Sequence, residues 1–171
     1  ILIVPGHDNQ SPGAVYGDLR ETDINIELAG YIFDSLKKDP NFKPVLTRDI
    51  GQGDYLSGLK EFFARERMNS YLTQVELSKI AEGWLKREGP PPAAESSKPT
   101  SENIFRLYAI NKWAEENDFD ITLHIHFNDQ YRKNLSRPGN FVGYSIFIPG
   151  REDSHHQVSK ELAQAVYKSI G

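Results

Sequence analysis

"ILIVPGHDNQSPGA" (residues 1–14) runs four aliphatic residues straight into Pro5-Gly6-His7-Asp8. A short continuous apolar run closed by Pro-Gly suits a buried strand. In open α/β sheets the functional groups collect at the carboxyl ends of the strands. His7 stands at such an end, so the opening stretch poses the fold and the site together.

Outward from that strand, residues 8–17 form a loop rich in turn formers. From Thr22 the period becomes helical: Ile24, Leu28, Ile32 and Leu36 recur every four residues, and Ala29 and Phe33 widen the stripe. Lys37 and Lys38 suit the negative end of that helix, and Pro40 helps to stop it. "KPVLTR" (43–48) reads as a second strand. Residues 55–87 look mostly helical, with Leu59, Phe62, Phe63, Met68 and Trp84 among the apolar positions. "REGPPPAAESSKPTSEN" (87–103) is too polar to order itself by apolar burial and reads as a mobile connector. Ile104, Leu107, Tyr108 and Trp113 mark a further helix. "FDITLHIHF" (119–127) alternates as a strand whose polar face carries Thr122, His124 and His126. "FVGYSIFIP" (141–149) reads as one more strand, before a helix carrying Val158, Leu162, Ala165 and Val166. This order predicts an α/β fold with a mainly parallel twisted sheet flanked by helices.

The chain of 171 residues is expected to form a single domain, residues 1–171, with 51–103 as an inserted helical and Pro-rich segment. It has no cysteine, which excludes thiolate metal sites, catalytic thiols and disulfides. A formal charge of −4 with interspersed signs argues against a nucleic-acid binder. No apolar stretch approaches the roughly 20 residues of a membrane helix. Because the chain starts on a core strand and stops at a helix end, we expect it to be truncated at both ends, with any signal peptide lying upstream.

His7, Glu21 and His126 can supply the His2Glu set that suits a catalytic zinc ion, which leaves a position open for water. Glu21 falls in the first turn of the first helix, where a carboxylate also interacts favourably with the helix dipole. By spacing alone such a set is more often a surface loop histidine, a capping glutamate and a solvated strand histidine.

The local pattern goes further. "ILIVPGH", "PGAVYGDLRETDINIELA", "LTR" and "FRLYAINKWAEENDFDITLHIHFND" together resemble the zinc-dependent N-acetylmuramoyl-L-alanine amidases of the Amidase_3 type. The matching residues include Pro5, Gly6, His7, Gly13, Ala14, Gly17, Glu21, Asp23, Asn25, Thr47, Arg48, Arg106, Asn111, His126 and Asn128. These blocks stand in the family's order and cover most of the chain outside 51–103. The resemblance implies a three-layer sandwich and one zinc ion held by His7, Glu21 and His126. It also implies zinc-assisted hydrolysis of the amide joining N-acetylmuramic acid to L-alanine in peptidoglycan. Asn128 would hydrogen-bond substrate beside the metal, and Arg106 would tie its helix to the scaffold. The setting implied is the cell envelope or the outside of the cell, and the chain is expected to act as a monomer.

The chain departs from that pattern in several places. The family's catalytic glutamate lies on a strand after the last helix, and no segment here matches it, so no catalytic base is assigned. His124 replaces a serine and shares a strand face with His126; it reads as a neighbour of the metal or as a buried structural histidine. Val4 replaces an aspartate. Asp8 replaces a glycine and is positioned to orient His7. The His155-His156 pair reads as solvent-facing. Segment 51–103, with Glu61, Glu66, Glu76 and Glu82, reads as a lid, a docking arm for a regulatory protein, or decoration. Two rivals follow: an inactive wall-binding or regulatory module, and another zinc hydrolase such as a peptidase or deacetylase.

Overall fold

The structure, a computed structural model, describes residues 1–69, 101–127 and 143–170. The chain divides into two compact units, Ile1–Tyr131 and Arg132–Gly171, each taken by itself below.

The first unit is organised on β1 (Leu2–Pro5), whose four residues are all buried. It lies between β4 (Val45–Leu46) and β5 (Thr122–Ile125), parallel to both, in the order β4-β1-β5. Period-two geometry sends its side chains to opposite faces. Leu2 and Val4 enter one apolar cluster and Ile3 the other. A strand so enclosed needs apolar residues at every position, and "LIVP" supplies them.

A two-residue-per-strand hairpin, β2 (Val15–Tyr16) and β3 (Leu19–Arg20), leads into α1 (Glu21–Leu36). The buried positions of α1 are Glu21, Thr22, Asn25, Ile26, Ala29 and Gly30. The deepest residues are thus one step round from the large aliphatics, because Ala29 lets the helix approach Ile3, Leu46 and Ile125 closely. Leu28, Ile32, Phe33 and Leu36 flank that contact, half-buried. Arg20, extended at the N-cap, pairs with exposed Asp23 at 2.6 Å.

The other cluster joins Leu2 and Val4 to α2 (Ser57–Asn69) and α3 (Ser101–Glu116) through Leu59, Phe62, Phe63, Phe105, Ala109, Ile110 and Ala114. Tyr55 meets Phe63 edge-on at 5.1 Å, and Phe63 meets Phe105 at 6.3 Å. Although α2 falls inside the stretch set apart in sequence as an insertion, its apolar face is built into this core. Glu66 is likewise not a solvated helix position: it is 4 % exposed and accepts from the Lys112 ammonium at 2.6 Å. Residues 101–103, counted in sequence with the connector, begin α3; the rest of the connector, with Glu76 and Glu82, lies outside the described residues.

In the second unit α4 (His156–Ile170) follows an extended stretch. The Tyr144 hydroxyl donates to the Tyr167 carbonyl at 3.0 Å, and the two rings lie 5.6 Å apart. Residues 143–149 form no strand, in contrast to the expectation for 141–149. A strand needs a neighbour for its backbone hydrogen bonds, and none of the described residues of this unit provides one. His155 is exposed as expected, with its backbone N–H on Asp153, and His156 is partly buried against the Pro149 carbonyl. The described residues therefore form a mixed α/β structure with a small parallel sheet and four helices. No helix among them is long and apolar enough to cross a membrane.

Candidate metal centre

Parallel register brings the site together. Pro5 pairs with Ile125, and the Gly6 N–H donates to the Ile125 carbonyl at 2.8 Å. The residues that follow, His7 and His126, therefore leave the same edge of the sheet. Glu21 reaches that edge from the first turn of α1.

The three sequence candidates converge. His7 Nε2 lies 3.3 Å from Glu21 Oε1, and His126 Nδ1 lies 3.4 Å from the same oxygen. One ligand atom from each residue falls within 4.8 Å of the other two. Tetrahedral zinc with bonds of about 2.0–2.1 Å separates neighbouring ligand atoms by roughly 3.3 Å; the two histidine–carboxylate separations match that spacing, and the donor set is the one such an ion takes. The imidazoles stand edge to face at 5.2 Å. Their side chains are 27 % and 37 % exposed against 4 % for Glu21, so the carboxylate is sunk below two accessible rings.

Glu21 is held on both oxygens. Ala14 N–H donates to Oε2 and Phe127 N–H to Oε1, each at 3.0 Å. Burial alone would push its carboxyl up. The hydrogen bonds from His126, His7 and the Ala14 amide outweigh that and hold it well below the usual carboxylate range. The hydrogen bond to Glu21 in turn raises His7 above its usual value, against desolvation. A carboxylate held ionised between two imidazoles suits a cation in its electrostatics as well as its spacing.

Two glycines clear the space. A Cβ on Gly6 would stand 2.3–2.6 Å from the His126 ring atoms. One on Gly13 would stand 2.5 Å from Glu21 Oε2 and 2.7 Å from His7 Cδ2, at a φ of +76° that side chains avoid. Asn25, one turn after Glu21 on the same buried face, donates to the Gly6 carbonyl at 3.0 Å and so fixes the strand exit from below.

His7 itself has a φ of 62°. For a residue with a Cβ that left-handed conformation costs on the order of 1–3 kcal/mol and persists only where neighbours impose it. Asp8 supplies part of the answer, though not by touching the His7 ring. Its Oδ1 accepts from the Gln10 and Ser11 amides, each at 2.8 Å, and its Oδ2 from the Tyr55 hydroxyl and the Arg106 guanidinium. Burial and Asp8 push Tyr55 up to about 12, so the phenol stays a donor. Arg106 does tie α3 to the scaffold, and its anchor is the loop of His7. Sequence reasoning passed over Tyr55 and the backbone donors of Ala14 and Phe127, since amide direction leaves no mark on residue type.

His124 lies on β5 opposite Val4; part of its surface is exposed, yet the atoms packed round its ring push the imidazole down to about 4, with His126 adding to the shift. Asn128 lies outside the described residues. A family model described as N-acetylmuramoyl-L-alanine amidase (Amidase_3) matches residues 1–171. No curated protein and no solved structure matches the chain.

Proposed function

The chain belongs to the Amidase_3 family of N-acetylmuramoyl-L-alanine amidases, and from that premise we propose that it is a zinc-dependent enzyme of the cell wall. Its reaction is hydrolysis of the amide between N-acetylmuramic acid and the first L-alanine of the peptidoglycan stem peptide. The observation that carries the reading is the convergence of His7, Glu21 and His126 within 4.8 Å.

In this proposal those three residues hold one zinc ion. Zinc there would supply positive charge to polarise the scissile carbonyl and to make water more acidic. Glu21, ionised and pinned by two amides, provides the anionic ligand and does not swing away to act as a base. His7 and His126 are neutral when they ligate, and their exposed ring edges leave room for a substrate above them. Asn128, two residues after His126, is proposed to hydrogen-bond that substrate. No described residue is assigned as general base.

We further propose a three-layer sandwich for the whole domain, 1–171, with 51–103 as its inserted segment. The separate buried clusters on the two faces of β1 support the layering. The chain is proposed to act as a monomer, in the cell envelope or outside the cell.

The test is zinc content together with muropeptide products, for wild type and His126→Ala. We expect about one zinc per chain in wild type, free stem peptides with an exposed alanine amine, and loss of both in the variant. Zinc uptake without cleavage would point to an inactive wall-binding module. Release of fragments with the muramic acid–alanine bond intact would point to another hydrolase. A wild type without zinc removes the metal reading.

A further inference from the structure

We propose that Arg48 and Arg106 are positioning residues for His7, the first holding its carbonyl and the second the turn that follows it, so that the imidazole stands where a metal ion needs it. The inference rests on the metal reading above and goes beyond it, because neither arginine touches a ligand side chain.

His7 cannot hold its own place. Its φ of 62° is disfavoured for a side-chain-bearing residue, and the loop that follows has no sheet partner. Arg48, just past the end of β4, is 1 % exposed. Its Nη1 donates to the His7 carbonyl at 2.9 Å, while Nε and Nη2 donate to the Gly53 carbonyl at 2.8 and 2.5 Å. All three bonds end on backbone oxygens, and the His7 peptide is fixed against the turn at Gly53, itself at a φ of +67°. A carboxylate partner would have held the charge and left the loop free.

Arg106 closes the other side from the middle of α3. Its guanidinium donates to three residues at once: Asp8 through Nη1, Gln10 through Nη2 at 2.6 Å, and Glu102 through Nε at 2.8 Å. Asp8 and Gln10 both belong to the turn that follows His7, where the Asp8 carboxylate also gathers the Gln10 and Ser11 amides. The His7 carbonyl is therefore held by one arginine and the next side chain by the other. Only a planar fork with several fixed donors can do this, and a lysine at either position could make one of the bonds but not the set.

The experiment measures zinc affinity by competition with a chromophoric chelator, for wild type, Arg106→Gln, Arg106→Lys and Arg48→Lys. Visible absorption of the cobalt-loaded forms reports ligand geometry. Supporting contacts of metal ligands are typically worth 10–100-fold in affinity. We expect a loss on that scale for Arg106→Gln and Arg48→Lys, little recovery in Arg106→Lys, and an altered cobalt spectrum in all three. Asp8→Asn severs the same link from the loop side and serves if an arginine variant does not fold. Leu59→Ala is the control: it loosens the α2–α3 core without touching the loop, and should lower the melting temperature while leaving zinc affinity within about twofold of wild type. Arginine variants with wild-type affinity and cobalt spectrum overturn the proposal. So does a Leu59→Ala protein that loses as much affinity as Arg106→Gln. A wild type that takes up no zinc overturns the metal reading, and this inference with it.

Discussion

A hydrogen atom at Gly6 is what leaves room for His126. With a Cβ 2.3–2.6 Å from three ring atoms, Gly6→Ala must displace the imidazole, while the buried strand before it keeps all its contacts. We expect the variant to fold, with zinc affinity down about 10-fold or more, the scale on which a ligand's supporting contact is lost. Isothermal titration with zinc, beside a far-UV spectrum, checks both halves. At this scale the sequence is a good guide to the three residues that converge and a poor one to what supports them. His7, Glu21 and His126 are legible as one group because few residue types suit a metal site and the blocks around them stand in a recognisable order. Asp8 is legible as a partner of the site but not as a partner of Arg106, 98 positions away, since no local rule links a turn aspartate to a distant helix.

Elements are legible where their burial is set locally. β1 declares itself because a strand enclosed on both faces has no polar position to disguise it. α1 declares itself through its four-residue period, though close packing of Ala29 turns the buried face slightly away from the large aliphatics. α2 declares itself as a helix but not as part of the core, because what makes it a core helix is Phe105 and Ala109 on α3, across a long separation in sequence. Residues 143–149 mislead in the opposite sense: alternation shows that a segment can serve as a strand, while pairing requires a neighbour. Leu59, at 1 % exposure, tests the standing of α2. Leu59→Ala should destabilise the protein by about 2–5 kcal/mol, the range for emptying a buried leucine site. Urea unfolding measures it, and a value under ~1 kcal/mol would return α2 to the periphery.

For the molecule as a whole, the candidate metal centre without metal still pairs buried Glu21 with a part-exposed His7, and that pair shapes how stability varies with pH. Glu21 is held below its unfolded value of 4.5, so its contribution is complete above that pH and fades as pH falls toward the folded value. His7 is raised above 6.5, so its contribution is complete below that pH and fades as pH rises through the folded value. The two windows overlap between about 4.5 and 6.5. In chelator-treated protein the stability gap between wild type and Glu21→Gln should be widest there and should narrow on either side. Thermal melts across pH 3–9, a range of about six units spanning both groups, test this. A gap that grows steadily toward alkaline pH contradicts it.

The order of the ligands along the chain carries one more consequence. His7 and Glu21 flank a single early loop, whereas Phe127, which shares the Glu21 carboxylate with His126, lies 106 positions further on. An ion bound by all three would act as a crosslink, closing a circuit through most of the first unit. Such closure removes freedom from the unfolded chain in the way a covalent bridge does, and its effect grows slowly with the length enclosed. In a chain without cysteine, the metal would take the place of a disulfide staple, and a peptide bond cut between Glu21 and His126 would still leave the two pieces joined.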